Sequence, residues 1–213
     1  MIKALIFDFD GTLVDSNQIK KQEFFNVVRD LPFSKELMSS ILIDPKAGDR
    51  YQIFKEFGFL VGQKYKYKID IQNLIDNYTT SCEKKITNAR SINGSEKTLK
   101  WLKNNGFKVV ISSATPTQTL IKIIQNRNIF QSIDNIFGSP KTKEQHIDMV
   151  KKIYNLNSSQ ILYIGDSDND REAALNSNCD FVGIGKNYAR FTTKPKFFFK
   201  NLVPLVDLIR KLS

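Results

Sequence analysis

Residues 6–16 read IFDFDGTLVDS, and they close an apolar run, MIKALIF, on two carboxylates one residue apart. Alternate residues of a strand share a side, so a strand continuing past Phe7 would set Asp8 and Asp10 side by side as like charges. Such crowding opposes folding unless something positive belongs between them. Where that positive charge comes from is a question for the remainder of the chain.

The 213 residues suit one domain carrying an insertion. The chain is 41% apolar and 25% charged, an ordinary globular composition that can bury a sizeable core. Its formal net charge is +10, but the 25 lysines and 7 arginines are scattered along the whole length. Scattered cations are no nucleic-acid stripe; they favour an anionic small molecule as partner, with no nucleic acid. No run of about 18 apolar residues suggests a membrane span, and MIKALIFDFD lacks the pattern of a secretory signal. Cys82 and Cys179 share no CxxC spacing and are expected as reduced thiols of a cytoplasmic protein.

Strands and helices alternate through most of the sequence. ALIF (4–7), KVVISS (108–113), DNIFG (134–138), QILYIG (160–165), DFVGIG (180–185) and FFF (197–199) are expected as strands. Helices are expected from Ser95 to Asn105-Gly106, over 116–128, 143–155 and 169–178, and in the closing LVPLVDLIRKL. This alternation predicts an α/β fold with a doubly wound parallel sheet. Residues 16–90 break it, offering only short amphipathic helical stretches such as EFFNVVRDL and YQIFKEFGF. The expected organisation is therefore an α/β core from 1–15 and 91–213, with a helical insertion at 16–90.

In open parallel sheets the ligand site lies beyond the carboxyl ends of the strands. Those ends carry Asp8 and Asp10, then Ser112 and Ser113, then Lys141 and Lys143, then Asp166 and Asp170. Four strands of one sheet thus end in groups useful for phosphate chemistry. DFDGT (8–12), a strand-end Ser, a Lys opening a later helix and GDSDND (165–170) resemble the four motifs of the haloacid dehalogenase superfamily, and the helical segment resembles that superfamily's C1-type cap. The first and fourth motifs are specific; the second and third have meaning only by position.

The resemblance implies a Rossmann-like core and a Mg²⁺-dependent phosphatase acting on a small phosphorylated metabolite, a sugar phosphate or a phosphoglycolate-like acid, through an aspartyl-phosphate. Asp8 is then the nucleophile and Asp10 the acid and base. The metal is held by Asp8, Asp166 and the Asp10 main-chain carbonyl, with Asp170 orienting its waters. Ser113, Ala114 and Lys143 hold the phosphoryl group, and Gly11 and Thr12 form the turn that places Asp10. Ser113 is preferred to Ser112 because SAT (113–115) resembles the family pattern, and Lys143 to Lys141 because it opens the helix. Asp168 is expected to cap the helix after the fourth motif, and His146, the only histidine, to be structural. Arg50, at the start of a cap helix, is expected to meet the leaving group of the substrate.

Two departures discriminate within the family. Haloacid dehalogenases proper lack a second motif-one Asp, so Asp10 argues against dehalogenation. Beta-phosphoglucomutase relatives commonly carry Glu-Asp where this chain has Gly165-Asp166, which favours a phosphatase over the alternative, a sugar phosphomutase. A non-catalytic binding module on the same fold would be expected to lose the motif-one carboxylates, and both are present here.

Overall fold

The computed structural model of the chain describes residues 1–31, 33–44 and 47–212. The elements run β1 Ala4–Phe7, α1 Asn17–Val28, α2 Ser34–Leu42, α3 Arg50–Tyr65, α4 Ile71–Thr87, α5 Ser95–Asn104, β2 Lys108–Pro116, α6 Thr117–Gln125, β3 Asn135–Ser139, α7 Lys143–Tyr154, β4 Ile161–Gly165, α8 Asp168–Asn176, β5 Asp180–Ile184, β6 Phe197–Phe199 and α9 Leu205–Leu212. They form two compact units, Met1–Ser16 with Thr87–Ser213, and Asn17–Ile86. Among the described residues no helix is long and apolar enough to cross a membrane.

The first unit is a six-stranded sheet of order β3-β2-β1-β4-β5-β6 in which every pairing is parallel. Strands buried on both faces need continuous apolar sequence, and ALIF and ILYIG are buried at every position. Ala4 and Ile6 join Ile147 and Val150 of α7 and Ala173 and Ala174 of α8 in one core cluster. Leu5 and Phe7, at the alternate positions, point to the other face and are likewise fully buried. β1 lies between β2 and β4, with β3 and β5 beyond them, so strand order reverses at its carboxyl end. That crevice is the ligand position of open α/β sheets.

β2 runs three residues beyond its expected end, because Pro116 pairs with Ser139 of β3 across a register shift that starts after Ser112. The helix expected from 116 accordingly begins at Thr117; Pro116 is extended, with ψ 136°. α8 begins one residue earlier than expected. Its N-cap position is occupied by Ser167, which makes no side-chain capping bond, so the capping role expected of Asp168 is not realised. Asp168 is instead the first helical residue, and its Oδ2 accepts from the Thr192 N–H at 2.6 Å.

The second unit is helical throughout its regular elements. Phe24, Phe54 and Tyr78, one ring each from α1, α3 and α4, meet with centroids 4.3–5.6 Å apart. Its α3 starts at a capping box in which Asp49 and Gln52 bond each other's main chain.

Candidate active site

β1 ends at Phe7, one residue short of the first carboxylate. The Asp8 N–H still donates to the Ile164 carbonyl of β4 at 2.8 Å, which fixes Asp8 beside the end of that strand. Gly11 then turns the chain at φ 84°, a conformation that favours glycine, and its N–H donates to the Val14 carbonyl at 2.7 Å. The turn brings Asp10 inward, 9% exposed. Its carboxylate accepts from three hydroxyls: Ser16 at 2.7 Å on Oδ1, and Thr115 at 3.2 Å and Ser113 at 3.3 Å on Oδ2. The Thr12 hydroxyl is buried in the same turn with no hydrogen-bond partner among the described residues.

Ser113 and Thr115 share one side of β2, and Ala114 between them is exposed. Ser112 faces away. It receives the Tyr163 hydroxyl at 3.0 Å and lies 2.8 Å from His146 Nδ1, whose ring places Nε2 3.2 Å from the Gly138 carbonyl. That carbonyl can only accept, so Nε2 carries the proton, Nδ1 accepts from Ser112, and the ring is neutral. Burial pushes its pKa down to about 4. His146 is therefore engaged on both nitrogens in holding α7 to β2 and β3.

The Thr142 hydroxyl caps α7, with Gln145 completing a capping box, and Lys143 opens the helix. The Lys143 ammonium donates to Asp170 Oδ1 at 2.5 Å and to Asp8 Oδ1 at 3.0 Å, whereas Lys141 is exposed. Burial alone would lower the Lys143 pKa; the charges of Asp170 and Asp8 prevail and hold it well above the ordinary value. Asp8 shows the opposite balance. Burial pushes its carboxyl well above the usual range, Lys143 pulls against this, and Asp170, Asp166 and Asp10 push further. Added positive charge beside it would favour its charged form.

Asp166 follows β4 and pairs with Arg190, while Asp170 also accepts from Ser167 at 2.7 Å. A Cβ on Gly165 would stand 2.3 Å from both Cβ and Cγ of Asp170. Only glycine lets Asp170 come this close, a steric reason for Gly before Asp166 that the sequence did not reveal. One oxygen each from Asp8, Asp166 and Asp170 lie within 4.8 Å of one another. Among the described residues, Asp8 and Asp170 pair with Lys143 and Asp166 with Arg190, and Asp10 is a fourth buried carboxylate nearby. An oxygen-only cluster with excess negative charge suits a hard divalent cation.

Ser16, Thr115 and Arg190 were not singled out in the sequence. Ser16 closes the opening stretch itself, and Thr115 is two residues from Ser113, so both had a positional signal. Arg190 lies in a loop, without periodicity to mark it. Arg50 belongs to the helical unit, where it is buried, donates to the Thr79 hydroxyl at 3.0 Å and lies 5.2 Å from the centroid of the Tyr78 ring.

Comparison with known proteins gives a consistent result. The family model described as haloacid dehalogenase-like hydrolase matches residues 5–184. A phosphoglycolate phosphatase from Psychrobacter arcticus is 29% identical over 227 residues, covering 98% of this chain and 96% of the relative. Among solved structures, a predicted phosphoglycolate phosphatase from Haemophilus somnus superposes with a TM-score of 0.78 at 20% identity, over 98% of each chain. YfnB from Bacillus subtilis, bound to magnesium, superposes with a TM-score of 0.77 at 17% identity, over 98% of this chain and 99% of its own.

Proposed function

The chain belongs to the haloacid dehalogenase-like hydrolase family, and on that footing we propose that it is a Mg²⁺-dependent phosphatase of a small phosphorylated metabolite, a phosphoglycolate-like acid or a sugar phosphate. The observation that carries this reading is the meeting of Asp8, Asp166, Asp170 and Lys143 at the strand-order reversal. Phosphoglycolate phosphatase relatives support the substrate class, and the magnesium of YfnB supports the choice of cation.

Asp8, Asp166 and the Asp10 main-chain carbonyl are the proposed ligands, with Asp170 orienting bound water; Mg²⁺ there would supply the charge that lets a carboxylate approach a phosphate dianion. An Asp8 oxygen attacks phosphorus, and the bond from phosphorus to the leaving oxygen breaks. Asp10, as the acid, gives that oxygen its proton. Asp10, now ionised, takes a proton from water, whose oxygen attacks phosphorus and frees Asp8. The Ser16 and Thr115 hydroxyls fix its orientation for both transfers, leaving the Ser113 proton for the phosphoryl group. Ser113, the Ala114 main chain and Lys143 hold the phosphoryl oxygens, with Lys143 balancing charge as it develops. Thr12 belongs to the turn that places Asp10.

A panel of phosphorylated acids and sugars, scored for released phosphate with Mg²⁺ and with chelator, tests the reading. Strong release on one small metabolite that disappears with chelator is expected; full activity in chelator would overturn the metal role. A phosphomutase would instead need a bisphosphate activator and would release little phosphate.

A further inference from the structure

Arg190 lies in the loop after β5, and that loop is fixed without its side chain. The Asp168 N–H donates to the Arg190 carbonyl at 3.1 Å, and Asp168 Oδ2 accepts from the Thr192 N–H. Arg171, one turn along α8, donates to the Thr193 carbonyl at 2.6 Å and the Thr192 hydroxyl at 2.8 Å. The first turn of α8 thus clamps the main chain around Arg190 and delivers its guanidinium to Asp166 Oδ2. The two partners are unlike: the Arg190 side chain is 52% exposed, and that of Asp166 only 7%. An ion pair with one end in water is weak and exchanges readily. Asp166 is also one of the three carboxylates whose oxygens converge.

We infer that Arg190 is a displaceable counter-ion. It holds the Asp166 carboxylate while no cation is bound and yields it when one arrives, so it sets the affinity of the site for Mg²⁺. The inference rests on the proposed role of Asp166 as a cation ligand. A guanidinium that merely kept Asp166 in place would strengthen Mg²⁺ binding; a competing one weakens it. Arg190→Gln removes both the competitor and a positive charge beside the cluster, and it leaves the main-chain clamp intact.

The test is calorimetric titration of MgCl₂ into the full chain, stripped with chelator and free of substrate. At low ionic strength Arg190→Gln is expected to bind Mg²⁺ about fivefold more tightly than wild type, on the Coulomb scale for a half-exposed charge. That gap narrows as salt is added, and Arg190→Lys stays near wild type. The stripped Arg190→Gln protein melts below stripped wild type, and Mg²⁺ raises its Tm by the larger amount. Unchanged or weaker Mg²⁺ binding by Arg190→Gln, with Asp166→Asn still impairing binding, overturns the competition alone. Mg²⁺ binding that Asp166→Asn leaves intact overturns the ligand assignment and this inference with it.

Discussion

The two units bury charge in opposite ways. In the helical unit Glu23 is 2% exposed, yet Ser81, Lys85 and Asn26 all donate to its carboxylate. Burial pushes its pKa up, but these donors prevail and hold it below the ordinary value. In the α/β unit Asp8 is 4% exposed and held well above the ordinary value, with burial and three more carboxylates outweighing one ammonium. A carboxylate surrounded by its own donors serves the fold. One left short of positive charge at a strand end serves a ligand, at a cost in stability.

That contrast breaks most easily at Asp8. Asp8→Asn is expected to reduce phosphate release to below about a hundredth of the wild-type rate, the scale of nucleophile removal, while circular dichroism shows the fold retained. A faster variant would end the covalent mechanism. Next in size, Lys143→Ala should lower turnover by about a hundredfold, on the scale of losing one group that stabilises developing charge, and Lys141→Ala should barely alter it. Steady-state rates in the reverse order would move the phosphoryl role to Lys141.

Stability should respond to pH through His146. Its pKa falls from an ordinary 6.5 to about 4 in the fold, so the unfolded chain binds the extra proton. The contribution is complete above about pH 6.5 and is lost as pH falls toward 4, by up to about 3 kcal/mol. Denaturant melts over that window should show a shallower pH dependence in His146→Gln than in wild type. In the helical unit, Glu23→Ala strands three donors and should cost about 1–3 kcal/mol in the same melts. No loss would show that its hydrogen bonds add nothing to the fold. The smallest effect concerns Arg50: we propose that Arg50→Ala raises KM severalfold for the true substrate and leaves an aryl phosphate unaffected, as expected of a charge-assisted contact to the leaving group. Equal effects on both substrates would confine Arg50 to its contacts with Thr79 and Tyr78.

The fold was legible because most sheet strands carry a short apolar run. ALIF, ILYIG and DFVGI need no tertiary information to be seen. The boundary between β2 and α6 shifted where tertiary pairing decided it, at Pro116, which a sheet partner keeps extended. Of the site, the motif carboxylates stood out because like charges at strand ends are conspicuous. Arg190 and the Gly165 constraint did not: one depends on where a loop returns, the other on how closely a helix approaches a strand.

The sheet order has a consequence for how the chain is made. Ala4 pairs with Lys108 on one side and Ile161 on the other. At a synthesis rate of roughly 5–20 residues per second, β1 waits several seconds or more after leaving the ribosome before either neighbour exists. Asn17–Ile86 emerges in that interval with the whole of its own compact unit. An apolar MIKALIF exposed for so long is a site for chaperones or for unwanted strand pairing. Lys3 within it and Asp8 and Asp10 just after it stand where gatekeeping residues guard such segments. The carboxylates that later gather at the crevice can thus shield the nascent chain before the sheet forms.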